Sequence, residues 1–213
     1  MAKITEQMHT WLGDFGREYT DRNTLTREEM EALYKQTYGF TRTALNKIAL
    51  EGLDRSMRIL EVGANVGVQL SLLQNMGCRN LYGIELQSYA VELAKSRTQN
   101  INIIQGSAFD IPFKDKYFDL VFTSGVLIHI HPDDVSEAMA EIHRCTKKYI
   151  WGLEHYADGY REIIYRGRKN LLWNVDYARS YLNLFPDLEL LQEQRLKYLD
   201  SDNQDAMFLL RKK

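Results

Sequence analysis

Between residues 57 and 152 two periodicities take turns along the chain. "MRILEV", "NLYGIEL", "INIIQG", "FDLVFTS" and "KYIWGLE" are short apolar runs bounded by turn residues, the pattern of buried strands. Between them lie helical stretches. "GVQLSLLQNMG" has Gly77 as its stop, "SYAVELAKSRTQN" follows, and "PDDVSEAMAEIHRCT" has Pro132 and two acids suited to a first turn. Strand–helix alternation of this kind predicts a parallel α/β sheet built with right-handed crossovers.

The flanks differ in character. Residues 1–55 read as helical and aromatic. In "TREEMEALYKQTYG", Thr26 precedes an acidic first turn and Gly39 follows the last periodic residue; "TRTALNKIALEGL" is a second amphipathic stretch. Residues 153–213 begin with the Tyr- and Arg-rich "EHYADGYREIIYRGRKNLLW", expected as a long loop or helical insertion. They end in "LELLQEQRLKYLD" and "DAMFLLRKK", expected as two last strands joined by "SDNQ". No linker-like stretch divides the chain, and its length of 213 residues suits one sizeable core.

Composition removes several functions. A net charge of −2 gives no electrostatic reason to expect a nucleic-acid partner. The polar, mixed opening is not a signal peptide, and no window approaches the roughly 18 apolar residues of a membrane span. Cys78 and Cys145 form neither a metal-ligand nor a redox spacing, which fits two reduced thiols and a cytoplasmic location.

The first strand runs into a glycine turn, "RILEVGANVG". In an open α/β sheet, ligands bind beyond the carboxyl ends of the strands. A dinucleotide fingerprint starting at Gly63 needs glycine at 65 and 68, where the chain has Asn65 and Val68. The Gly-Lys-Ser/Thr ending of a phosphate loop is also absent, so a nicotinamide oxidoreductase is a poor fit. Glu85, with Leu86 beside it, ends the second expected strand two dozen residues after Glu61, where a carboxylate can accept from both hydroxyls of a ribose. "QGSAFDIPF" follows the third strand and can wall an adenine. "YFDLVFTSGVLIH" delivers Ser124 to His129 to the same edge.

The ordered set "LEVGANVG", "YGIEL", "GSAFDIPF" and "FDLVFTSGVLIHI" resembles the class I S-adenosylmethionine-dependent methyltransferases across residues 57–152. The resemblance implies a Rossmann-like sheet of seven mostly parallel strands with the last antiparallel, a helical N-terminal cap over residues 1–55, and a cofactor-binding domain over 56–213 with an acceptor-site insertion around 154–180. It implies that Glu61, Gly63, Asn65 and Gly67 line the methionine end of S-adenosylmethionine, that Glu85 holds the ribose, and that Ser107 and Ala108 sit beside the adenine. Asn65 stands where the family often has glycine, and Ser107 where many relatives have an acid. "WLGDFGREYTDRN" at 11–23, "FTSGVLIHIHPDD", "YRG" at 165–167 and "DNQDAMFLLRKK" are further similar to the pseudaminic acid biosynthesis-associated methylases, which implies a sugar-linked acceptor.

Methyl transfer from a sulfonium needs alignment, exclusion of water and, for an alcohol or protonated amine, a base. His129 is one candidate base and otherwise a buried histidine that shapes its loop. Glu154 and His155 are alternatives after the fifth strand. Tyr156, Tyr160, Tyr165 and Arg166 are candidates for an acceptor pocket that Asp205 can reach, or else belong to a solvated surface loop. Tyr19 and Arg22 either reach the cofactor's carboxylate from a lid or lie on a helix packed through its aromatics. His129, His131, Asp133 and Asp134 have metal-ligand side chains, but the two acids suit a helix start better, so no metal is expected. The competing functions are a non-catalytic cofactor-binding module of the same fold and a nucleic-acid methyltransferase.

Overall fold

The structure, a computed structural model, describes residues 3–213. Four helices come first: α1 (Glu6–Leu12), α2 (Asp14–Arg22), α3 (Arg27–Tyr38) and α4 (Arg42–Ala49). Alternation then sets in with β1 (Arg58–Val62), α5 (Val68–Asn75), β2 (Asn80–Glu85), α6 (Ser88–Arg97), β3 (Asn102–Gln105), β4 (Phe118–Ser124), α7 (Val135–Cys145) and β5 (Thr146–His155). The last third holds a two-stranded hairpin of β6 (Arg161–Glu162) and β7 (Trp173–Asn174), then α8 (Tyr177–Leu184), β8 (Leu188–Lys197) and β9 (Gln204–Lys212).

Seven strands form one sheet in the order β3-β2-β1-β4-β5-β9-β8. The five strands from β3 to β5 run parallel, and β9 enters antiparallel to both neighbours. The order reverses between β1 and β4, so a crevice opens at their carboxyl ends. Alternate residues feed two cores. Leu60, Val62 and Val121 pack under α7 and α8; Ile59, Leu120 and Phe122 pack under α3 to α6. Gly152, in mid-strand, seats a ring: a Cβ there would lie 2.1 Å from Phe208 Cζ.

Local chemistry explains most boundaries. The Thr26 hydroxyl accepts from Glu29 N at 3.1 Å, the Glu29 carboxylate accepts from Thr26 N at 2.7 Å, and Gly39 ends α3 at φ 80°. Two expectations need correction. Pro132, Asp133 and Asp134 precede α7 as a turn instead of forming its first turn, and Asp134 is held by Lys3 at 2.7 Å. The insertion after β5, expected as a long loop or a helical insertion, is pinned as a hairpin by two two-residue strands with residues 163–172 between them, and a short helix follows. Among the described residues no helix is long and apolar enough to cross a membrane.

Candidate active site

The turn after β1 uses the left-handed region three times in five residues: Gly63 (φ 76°), Asn65 (φ 45°) and Gly67 (φ 77°). Asparagine tolerates that region better than other residues with a Cβ, so Asn65 fills the middle position without glycine. The two glycines are also needed for space. A Cβ on Gly63 would meet Val126 Cγ2 at 2.5 Å, and one on Gly67 would meet Ile103 Cδ1 at 2.7 Å. Asn65 N donates to Glu85 Oε2 and Gln87 N to Oε1, both at 2.9 Å. Burial raises the Glu85 carboxyl, and these amides pull it back. Each oxygen keeps a lone pair for a ligand.

Around this turn lies a cleft of about 150 Å³. Its floor and sides include Val62, Gly63, Asn65, Glu85, Leu86, Ser107, Ala108, Ser124 and His129. Its roof comes from the N-terminal helices through Met8, Trp11, Gly16, Tyr19 and Thr20. Gly13 breaks the first aromatic stretch into α1 and α2, and Gly16 lets α2 press on α1, where a Cβ would overlap Trp11 O. Gln87 Nε2 fastens this roof by donating to Trp11 O and Leu12 O, both at 3.1 Å. Ser107 Oγ accepts from Phe109 N at 3.1 Å, which leaves its hydroxyl hydrogen available to the cleft.

At the end of β4, His129 Nδ1 lies 2.7 Å from Leu171 O. A carbonyl only accepts, so Nδ1 carries the hydrogen in the neutral ring and Nε2 keeps its lone pair. Burial pushes the imidazole down to about 4. Trp11 packs on it at 4.6 Å and Tyr165 at 5.3 Å.

Other candidates go elsewhere. Glu154 is fully buried, accepts from Val126 N at 3.0 Å and Ile128 N at 3.5 Å, and so ties the β4 loop down instead of facing the cleft as a base. Burial raises it to about 7 against the pull of these bonds. His155 sits 4.0 Å from Asp205, away from the cleft walls. Asp205 is itself buried, accepting from Tyr38 Oη at 2.6 Å and Tyr198 Oη at 3.2 Å, so it does not line an acceptor pocket. Tyr156 donates to Asp158 at 2.5 Å with the Arg195 guanidinium 3.3 Å over its ring, and Tyr160 is exposed. Arg22 pairs with Glu18 on its own helix at 3.5 Å, while Tyr19 reaches the cleft.

Arg42 was not legible as a site residue. It is fully buried, donates to Tyr34 Oη at 2.7 Å, and leaves Nε and Nη2 without partners. Glu61 Oε2, Asn65 Oδ1 and Trp11 Nε1 are likewise buried and unpartnered. Burial pushes the Glu61 carboxyl well up, and Arg42 is the charge that opposes this. Orphaned buried polar atoms of both signs are costly unless a ligand meets them. Of these residues Asn65 and Trp11 line the cleft, with the Glu85 carboxylate at one side, whereas Glu61 and Arg42 are not among its walls.

Sheet order and crevice together define a Rossmann-like fold. Residues 60–149 match the family model described as a methyltransferase domain. An uncharacterized methyltransferase of Staphylococcus carnosus (strain TM300) is 34% identical over 82 residues, 38% of this chain and 38% of the relative. The chain spans about two fifths of the curated relatives it matches first. In three dimensions it resembles Burkholderia thailandensis 1,6-didemethyltoxoflavin-N1-methyltransferase, crystallised with 1,6-didemethyltoxoflavin and S-adenosylhomocysteine. The TM-score is 0.73 at 17% identity, over 100% of this chain and 92% of the other. The [4+2]-cyclase SpnF matches at TM-score 0.63 and 15% identity, over 88% of this chain and 96% of the other. One fold therefore carries different reactions, and the reaction must be argued from the site.

Proposed function

We propose that the chain is an S-adenosylmethionine-dependent methyltransferase acting on a small polar acceptor. The observation that carries this reading is the cleft at the carboxyl ends of β1 and β4, edged by Glu85, whose two oxygens each hold a backbone amide, and by Asn65, whose Oδ1 is buried and unpartnered. Glu61 and Asn65 would serve the methionine end of the cofactor, Glu85 its ribose, and Ser107 and Ala108 its adenine. When bound, the cofactor supplies an activated methyl on a sulfonium with a neutral leaving group.

The chain's own part is alignment and dryness. Of the helical N-terminal part, α1 and α2 act as a lid whose Met8, Trp11 and Tyr19 keep water from the cleft, while α3 and α4 belong to the core beneath the sheet. His129 Nε2 offers a lone pair where the acceptor enters, so the acceptor atom brings a hydrogen, on O or N, that this lone pair receives. The acceptor is sugar-linked, nucleotide-activated or of the nonulosonic-acid type, a reading supported by the likeness of the 11–23, 165–167 and C-terminal stretches.

Calorimetric titration with S-adenosylmethionine and S-adenosylhomocysteine tests the core of this reading. Dissociation constants of about micromolar to tens of micromolar are expected. Absence of binding by both compounds overturns it. Incubation with labelled cofactor and a nucleotide-sugar extract then identifies the acceptor by mass.

A further inference from the structure

The β6–β7 hairpin carries an unusual tip. Tyr165 and Arg168 close it with two backbone hydrogen bonds, at 2.9 and 3.0 Å, and the two residues between them, Arg166 (φ 49°) and Gly167 (φ 75°), are both left-handed. That is the two-residue hairpin turn in which Asn-Gly is favoured, and an arginine at its first central position is strained. Four cations, Arg161, Arg166, Arg168 and Lys169, stand against the single acid Glu162 in residues 159–170 of a chain that is net acidic. None of the four is in an ion pair among the described residues, whereas Arg58, Arg144, Arg195 and Arg211 all are.

The tip is joined to the cleft through aromatic rings. Trp11, Phe15, Tyr165 and His129 form a closed cycle with neighbouring centroids 5.2, 6.1, 5.3 and 4.6 Å apart. Trp11 and His129 wall the cleft. Phe15 and Tyr165 form the outer half, and each carries a guanidinium: Arg168 lies 5.2 Å from the Phe15 centroid and Arg166 5.9 Å from that of Tyr165. Stacking holds the two forks in place without using their hydrogen-bond donors. The same hairpin supplies Leu171 O, which fixes the tautomer of His129.

We propose that this hairpin is the acceptor-recognition element, and that Arg166 and Arg168 bind an oxyanion, phosphate or carboxylate, of an acceptor whose ring lies against Phe15 and Tyr165. The proposal rests on the methyltransferase reading. The acceptor's reacting atom then lies at His129 and its anion one ring further out. The cations are confined to a hairpin tip rather than spread along a stripe, which favours a small ligand over a nucleic acid.

The test uses the full chain saturated with S-adenosylhomocysteine, titrated at low salt with uridine diphosphate, N-acetylneuraminate and the uncharged N-acetylglucosamine. At least one anion is expected to bind about tenfold or more tightly than the neutral sugar, and R166Q/R168Q is expected to lose about tenfold or more of that affinity. The two anions separate phosphate from carboxylate recognition. An unchanged S-adenosylhomocysteine affinity in the variant shows that it is folded. The proposal is overturned if wild-type protein binds S-adenosylhomocysteine but neither anion, if the variant binds the anion as well as wild type does, or if transfer RNA binds through the same arginines while the small anions do not. Failure to bind S-adenosylhomocysteine would instead remove the methyltransferase reading.

Discussion

At the scale of single residues, the site works through groups whose hydrogen-bonding capacity is only partly used inside the chain. Glu85 accepts from two backbone amides and retains lone pairs. Glu85→Ala should weaken S-adenosylhomocysteine binding by about 1–3 kcal/mol, the usual range for charge-assisted bonds. Calorimetry checks this, and unchanged affinity would remove Glu85 from the ribose. Arg42→Met should destabilise the fold by about 3–5 kcal/mol, because it leaves the buried Glu61 carboxyl without the charge that opposes its protonation; thermal unfolding checks this. An unchanged melting temperature would show that Arg42 does not support Glu61. That Glu85 and the turn from Gly63 to Asn65 edge the cleft was legible in the sequence, because spacing after a strand end fixes where such residues arrive. Arg42 was not. It stands in an ordinary amphipathic helix, and only the packing of α4 on the sheet brings it to Glu61. Glu154 and Asp205 misled for the matching reason: sequence places them at strand ends, but the sheet turns both toward buried partners.

Between elements, the loop after β4 is where titration and structure meet. Glu154 holds that loop from β5, and its folded pKa of about 7 lies above that of an unfolded glutamate. The native state therefore binds more protons than the unfolded chain between about pH 4.5 and 7, and this group's contribution to stability falls as pH rises through that window. His129, lowered to about 4, works in the opposite direction. The unfolded chain takes up its proton first, so stability is lost as pH falls from about 6.5 toward 4. In wild type the two slopes partly cancel. Melting temperatures across pH 4.5 to 8 should therefore show a steeper loss toward acid in Glu154→Gln than in wild type; parallel curves would show that Glu154 is not held in this way. The strands were readable from apolar runs and turn residues; the antiparallel last strand was implied only by the family resemblance. The β6–β7 hairpin was not, because its strands are two residues each and owe their pairing to tertiary support.

For the molecule as a whole, the question is how a ligand enters a cleft roofed by its own N-terminus. Besides the aromatic contacts of Trp11 and Phe15, the roof is tied among the described residues by Gln87 on the end of α1, Lys3 on Asp134 and Glu137, Gln7 on Asn170 O, and Tyr89 on Asp21. Several of these lie at the surface, where ion pairs contribute about 1 kcal/mol or less. Elements held this way open at lower free energy than the sheet. A ligand that touches Trp11 and Tyr19 from below adds its binding energy to closure, about 2.7 kcal/mol at a hundredfold excess over its dissociation constant. Deuterium exchange should therefore slow most in α1 and α2 when S-adenosylhomocysteine binds, with little change in β1, β4 and β5, whose amides are already protected. Gln87→Ala should speed exchange in α1 without ligand and weaken binding through faster release, since the closed state loses its latch while Glu85 keeps its place. If α1 and α2 are as protected without ligand as β4, the roof does not open on its own, and entry must come through the aromatic cycle on the hairpin side.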